Sequence, residues 1–377
     1  MKVTLSLTHR CNLACRYCYA GQTIKRDMLL ETAHRAVDFA LRITPPGHKL
    51  DFSFFGGEPL LCFDLIRATT AYIRERTETT DHPVRLSITT NGTVITQPIL
   101  DFLKAEQFDL CISLDGPVHV HNLNRRYMNG RGSFAKVVAN LQKAMEQLDM
   151  VQVNAVYDPE TVVFLPETVE FLVGLGVTVI HLNPDIGGSW NGATSDHLQL
   201  AFRRIADHYV RSYQEGQEIA INIIDSKIIL FMKGGYKDED RCGMGETQWA
   251  FAPSGNIYPC ERFIGEDDDD SHRLGNLHTG LDRIRQCALL ERKGNRNKAC
   301  QQCGLRNYCM NWCGCTNFYM TGHINLAGSL LCSMEKAAIQ AARIVGMTLS
   351  ENDNELFVEH FMNYLHEGTS QVAVELS

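Results

Sequence analysis

Six strand-like runs recur along the first half of the chain, and an amphipathic helical run follows each of them. The strand-like runs are Val3–Leu7, Asp51–Phe55, Arg85–Thr90, Leu110–Leu114, Val151–Val156 and Thr178–Leu182. The helical runs are Leu29–Ile43, Phe63–Arg76, Gln97–Glu106, Ser133–Leu148, Pro166–Leu175 and Gln199–Tyr213. Strand and helix in regular alternation predict an α/β fold: a parallel sheet with helical crossovers. Six repeats are too few to close an eight-stranded barrel, so a partial (β/α)6 barrel or an open sheet is expected. In such folds chemistry gathers at the C-terminal ends of the strands.

The first such end carries Thr8-His9-Arg10-Cys11-Asn12-Leu13-Ala14-Cys15-Arg16-Tyr17-Cys18-Tyr19. A four-iron cluster held by the three thiolates of Cys11, Cys15 and Cys18 keeps one iron without a protein ligand, free to bind a reacting molecule. A zinc site with His9 as fourth ligand is the competing reading. Zinc knuckles, however, show paired C-x2-C spacings, and here the spacing is C-x3-C-x2-C.

The chain has 377 residues, room for two or three domains, and 14 cysteines. No charged-then-apolar leader opens the sequence and no apolar run reaches membrane-span length, so a cytoplasmic protein without a membrane partner is expected. Thiols in that setting point to metal and away from disulfides. The net charge of −8 argues against nucleic acid as a partner. After Cys18 cysteines are sparse until Cys242, and the polar stretch Lys233–Asp240 marks a boundary. Cys62 and Cys111 lie in apolar context and read as core residues. Gly187–Gly192 reads as a connector, and the acidic run Glu266–Asp270 as a solvated loop.

The Cys11-x3-Cys15-x2-Cys18 loop, with Tyr17 before its last cysteine, resembles the signature of the radical SAM superfamily. Later segments strengthen the likeness: Phe54-Phe55-Gly56-Gly57-Glu58-Pro59, Thr89-Thr90-Asn91-Gly92, and Ser113-Leu114-Asp115-Gly116-Pro117 followed by His121, Asn122 and Arg125. The resemblance implies that S-adenosyl-L-methionine (SAM) binds the open iron. An electron from the cluster then breaks a sulfur–carbon bond, and the 5′-deoxyadenosyl radical takes hydrogen from a substrate. It further implies that Gly56, Gly57 and Glu58 hold the methionine amino group and that Tyr17 and Asn91 belong to the cofactor site. Ser113 and Arg125 would contact the SAM ribose and carboxylate, for which a planar guanidinium is apt. Leu182 would cover the adenine, with core packing as its competing reading.

Cys242-x12-Gly255-x4-Cys260, Cys300-x2-Cys303-x5-Cys309-x3-Cys313 and Cys332 resemble the SPASM extension of that superfamily in order and spacing. A zinc ribbon with stray thiols competes. The expected domains are a radical SAM partial barrel over 1–232, a small cysteine-rich SPASM domain over 233–335, and C-terminal helices over 336–377. The likeness implies two auxiliary four-iron clusters. Cys300, Cys303, Cys309 and Cys332 would hold the distal one, and Cys242, Cys260 and Cys313 the nearer one. The fourth ligand of the nearer cluster is Cys315, Cys287 or a substrate atom. The implied activity is that of a peptide or protein maturase making a thioether or carbon–carbon crosslink, with a peptide substrate encoded nearby and flavodoxin or ferredoxin as electron donor. The alternative is an anaerobic sulfatase-maturating enzyme that makes formylglycine from Cys or Ser. In that group an aspartate follows the second auxiliary cysteine as base, and here Glu261 holds the position; a solvated ion pair with Arg262 is its competing reading. Many peptide maturases carry a leader-binding module before the barrel, whereas here only Met1 to Leu7 precede the cysteine loop.

Overall fold

The computed structural model describes residues 1–21, 24–292 and 297–366. In chain order it begins with β1 (Lys2–Ser6), α1 (Leu30–Ile43), β2 (Leu50–Phe55), α2 (Phe63–Thr77), β3 (Val84–Thr90), α3 (Gln97–Ala105) and β4 (Phe108–Ser113). There follow α4 (Val118–Asn124), α5 (Phe134–Met145), β5 (Val151–Tyr157), α6 (Leu165–Gly174), β6 (Val179–Pro184), α7 (Gly192–Gln214), β7 (Ala220–Ile221) and α8 (Asn222–Lys233). Four short strands come next, β8 (Gln248–Phe251), β9 (Asn256–Tyr258), β10 (Gly275–Asn276) and β11 (Gly280–Leu281). Helices α9 (Arg283–Glu291), α10 (Lys298–Gln301), α11 (Gly314–Thr321), α12 (Ser329–Glu351) and α13 (Glu355–His366) complete the series. The end of the expected C-terminal segment, 367–377, lies outside the described residues, as do 293–296 within the expected SPASM stretch. Among the described residues no helix is long and apolar enough to cross a membrane.

The chain divides into two compact units. The first comprises Met1–Ser113, Asn122–Val151 and Gly243–Arg292. Its strands β1 to β4 pair in parallel in sequence order. Val3, Leu5, Phe52, Phe54, Ile88, Leu110 and Ile112 alternate onto one face and are fully buried. The opposite face is polar: Thr4, Ser53, Ser87 and Asp109 stand in one row, and Thr89 stands beside Cys111. Cys111 is therefore half-buried on the polar face and not a core residue, because the alternation gives the core to its neighbours Leu110 and Ile112. Strand β8 joins β1 on its other side in parallel, Val3 opposite Trp249, and β9 to β11 continue the sheet antiparallel. Phe39 of α1 seals that junction edge-on against Trp249 and Phe251, with ring centroids 5.3 and 5.4 Å away.

The second unit comprises Leu114–His121, Gln152–Cys242 and the described residues from 297 on. Strands β5, β6 and β7 pair in parallel, Asn154 opposite His181 and Ile180 opposite Ile221. Helix α7 starts ahead of the sequence expectation. The Asn191 side chain accepts the Thr194 N–H at 3.1 Å, and the Thr194 hydroxyl accepts the Asn191 N–H at 2.8 Å, which nucleates the first turn. The Gly187–Gly192 loop is pinned, since Trp190 Nε1 donates to the Asp185 carbonyl at 2.7 Å. Helix α12 packs on α7 and α8, and Ala337, Ala338, Ala341 and Ala342 are among its buried residues.

Candidate active site

The cysteine loop leaves β1 and is fastened on both sides. On one side it continues the pairing with β2: Gly57 N–H donates to the Thr8 carbonyl at 2.7 Å and Glu58 N–H to the Arg10 carbonyl at 2.8 Å. On the other side the amides of Ala14 and Arg16 donate to the carbonyls of Arg126 and Asn124 at 2.8 and 3.1 Å. The approach on the first side requires glycine. Gly56 has φ +135°, and a Cβ there would lie 2.6 Å from the Thr8 oxygen; a Cβ on Gly57 would run into the Arg10 carbonyl. A salt link from Arg10 to Asp27 (2.6 Å) and the hydrogen bonds of Thr8 hold the loop's entrance.

Glu58 is fully buried, and its carboxylate is occupied. Oε1 accepts the Leu60 N–H at 3.0 Å and the Thr90 hydroxyl at 2.7 Å; Oε2 accepts the Asn91 N–H at 2.7 Å. Burial pushes this carboxyl up, while the three donors and nearby Arg125 pull the other way. The effect is to fix the turn after β3. From there Asn91 Nδ2 donates to Cys11 Sγ at 3.7 Å and to Asn12 Oδ1 at 2.8 Å, and Asn12 donates to Thr93 at 2.8 Å. The Leu13 N–H also points at Cys11 Sγ, 3.4 Å away. Burial raises the Cys11 thiol pKa, and these donors act to lower it. Asn12, Thr93 and Thr90 were not picked out from the sequence; their signal was only their neighbourhood to Cys11 and Asn91.

Arg125 Nη1 donates to the Tyr17 hydroxyl at 2.8 Å, with the guanidinium 6.0 Å from the ring centroid. Tyr17, Cys11, Gly56, Gly57, Glu58, Asn91, Ser113 and Arg125 thus all lie in the first unit, and all but Gly56 and Ser113 belong to the bonded framework just described. Ser113 is buried at the end of β4, and Cys15 is half-buried and Cys18 exposed in the loop. Cys62 is half-buried and not a core residue: it accepts from Arg10 Nη2 at 3.6 Å, because the charged entrance of the loop reaches it. Leu182, in the second unit, is 1% exposed, and Asn222 binds both its amide and its carbonyl.

Glu261 follows buried Cys260 in the first unit. Its Oε2 lies 3.5 Å from both Cys260 Sγ and Gln248 Nε2. Arg262 lies over Tyr19, 5.2 Å from the ring centroid, and Tyr19 stacks on Phe55 at 6.3 Å. Of the other late cysteines, Cys242, Cys300, Cys303 and Cys309 are half-buried, Cys313 and Cys315 buried, and Cys332 exposed in the first turn of α12, all in the second unit. Cys313 and Cys315 stand together, Sγ to Sγ 3.7 Å, whereas Cys287 is exposed on α9. Among the described residues no three His, Cys, Asp or Glu side chains converge as around a single metal ion. The loop's separate thiols, with N–H donors aimed at Cys11 and bare glycines opposite, suit a multi-iron cluster and a ligand lying against backbone.

A parallel α/β sheet with a glycine-backed, three-cysteine loop at the end of its first strand defines an iron–sulfur cofactor enzyme. Residues 5–172 match the family model of the Radical SAM superfamily, so the chain carries a Radical SAM domain. It is 30% identical over 176 residues to an uncharacterized protein of Methanocaldococcus jannaschii, covering 47% of this chain and 59% of that one. It is 26% identical over 295 residues to a cysteine-type anaerobic sulfatase-maturating enzyme of Clostridium perfringens, covering 71% and 74%. It is 23% identical over 388 residues to the radical SAM cyclopropyl synthase TigE of Paramaledivibacter caminithermalis, covering 94% and 75%. Among solved structures, native anSMEcpe with bound AdoMet superposes with a TM-score of 0.79 at 19% identity, covering 92% of this chain and 98% of that one. The fold is shared with that structure.

Proposed function

We propose that this chain is a radical maturase that takes a hydrogen atom from a side chain of a peptide or protein. The observation that carries the reading is the cysteine loop clamped between the Gly56–Glu58 turn and the Asn124–Arg126 segment. Cys11, Cys15 and Cys18 would hold a four-iron cluster, and Gly56, Gly57, Asn91, Ser113, Tyr17 and Arg125 would surround SAM; Glu58 acts as the buried anchor of that wall. The cluster and SAM, when bound, supply hydrogen-abstracting chemistry. The chain's own residues supply orientation: the bare Gly56-Gly57 backbone admits an amino group, and Arg125 offers a fork for a carboxylate.

Two finer readings follow. Oxidation of Cys or Ser to formylglycine is supported by the sulfatase-maturating relative and by Glu261 beside Cys260, where a carboxylate could take a proton. It is supported also by Cys315: a thiol beside Cys313 can supply the ligand that would otherwise come from a substrate. Crosslink formation is the second reading, supported by the cyclopropyl synthase, a bond-making relative matched over nearly the whole chain. The test is anaerobic incubation of reduced, reconstituted protein with SAM and peptides bearing Cys or Ser, followed by mass spectrometry and hydrazide capture. A captured aldehyde, with sulfur lost and oxygen gained on a Cys peptide, supports the first reading. Loss of two hydrogens without an aldehyde supports the second. Absence of 5′-deoxyadenosine under these conditions overturns both.

A further inference from the structure

The second unit contains a nearly sealed ion pair. Lys227 of α8 and Glu335 of α12 meet at 2.7 Å, their side chains 3% and 6% exposed. Burying two opposite charges costs several kcal/mol per ion, and apolar residues of similar size usually fill such a place as well or better. The pair therefore calls for a reason beyond stability, and its remaining hydrogen bonds give one. Lys227 Nζ also donates to the carbonyl of Tyr308 at 3.1 Å. Glu335 Oε2 also accepts the N–H of Met310 at 2.6 Å. The Tyr308 carbonyl belongs to the peptide group before Cys309, and the Met310 N–H to the peptide group after it. The cation holds one and the anion holds the other.

Both peptide planes flanking Cys309 are thus fixed, and with them the direction of its Cα–Cβ bond. One plane needs a donor and the other an acceptor, so an oppositely charged pair fits where two like groups would not. Neighbouring contacts hold the same segment in place: Lys227 Nζ lies 5.6 Å from the Tyr236 ring centroid, Tyr236 N–H donates to the Asn307 carbonyl at 2.8 Å, and the Tyr236 ring packs edge-on against Trp312 at 5.0 Å.

We propose that Lys227 and Glu335 are positioning residues that aim Cys309 as a ligand of an iron–sulfur cluster in the second unit. The proposal rests on the cluster reading of the late cysteines. The test uses the full chain in a C11A/C15A/C18A background, so that the irons counted are those of the late cysteines. Iron and sulfide per chain are measured after anaerobic reconstitution, and the reduced clusters are recorded by electron paramagnetic resonance. K227M/E335M preserves volume and removes both charges, so the fold is expected to survive by circular dichroism while iron falls by about four per chain. C309A in the same background should lose the same irons. E335Q, a milder change, should leave the fold intact and alter the resonance lineshape. A folded K227M/E335M protein with full iron overturns the proposal; should that variant not fold, an E335Q spectrum identical to the parent's does so. If the C11A/C15A/C18A parent itself binds zinc and no iron, the cluster reading fails first and the proposal falls with it.

Discussion

Replacing Glu58 by glutamine would alter a fully buried side chain that receives three donors. The carboxylate receives Leu60 N–H, the Thr90 hydroxyl and Asn91 N–H. A glutamine keeps one oxygen and presents an amide NH2 in place of the other. In either orientation a donor then faces a donor. One unsatisfied buried donor costs about 1–3 kcal/mol, and the bonds that remain lose their charge assistance, about 1 kcal/mol each. Relief of the buried charge offsets part of this, because burial already disfavours the ionised form. The expected loss is about 2–3 kcal/mol, read as a lower urea midpoint by far-UV circular dichroism. With the amide in the Oε2 position, where it opposes one donor rather than two, the strain falls on Asn91, whose side chain reaches Cys11, so iron bound by the N-terminal loop should fall as well. An E58Q protein with parental midpoint and parental iron would refute the claim that Glu58 braces the cysteine loop.

Three further outcomes are expected. Burial lowers the pKa of His360, but Asp225 and Glu218, 3.0 and 2.8 Å from its two ring nitrogens, outweigh it and lift it to about 8. The folded form thus binds the proton more tightly than the unfolded chain. That stability is complete below about pH 6.5 and is lost as pH rises through about 8, about 2 kcal/mol in all; urea titrations between pH 6 and 9 should show this loss, and H360Q should lack it. Gly57→Ala should cost about 1–3 kcal/mol through collision with the Arg10 carbonyl and should deplete iron from the N-terminal loop; iron retained in full would show that the close approach is dispensable. Cys315→Ser should lower iron in the C11A/C15A/C18A background while Cys287→Ser does not; the reverse pattern would assign the additional ligand to α9.

The six strand–helix repeats were legible because each obeys one period: β2 alternates Leu50, Phe52 and Phe54 inward, and α5 buries Val137, Leu141 and Ala144 on one stripe. The Gly56-Gly57 turn was legible for a local reason, the two missing side chains. Pairing of β1 with β8 was not, since the partners are far apart and nothing in Gln248–Phe251 names Lys2–Leu5 as its complement. Cys111 was misread because an apolar neighbourhood along the chain says nothing about which face of a strand a residue takes. Glu58 carried a cofactor role by resemblance; its three internal donors come from residues whose polarity alone did not announce them. Lys227 lies within a run of isoleucines and leucines, and its partner Glu335 is more than a hundred positions away, so only the folded chain joins them.

The place of β1 between β2 and β8 also sets a schedule for synthesis. Its edge toward β2 can be satisfied once Phe55 has left the ribosome. The other edge waits until Gln248–Phe251 emerges, with its backbone donors and acceptors open to any passing strand meanwhile. Contacts of such long sequence separation close slowly. The strand that launches the cysteine loop is therefore among the first segments made and among the last completed, and a nascent chain halted before residue 248 would carry an exposed edge prone to misassembly.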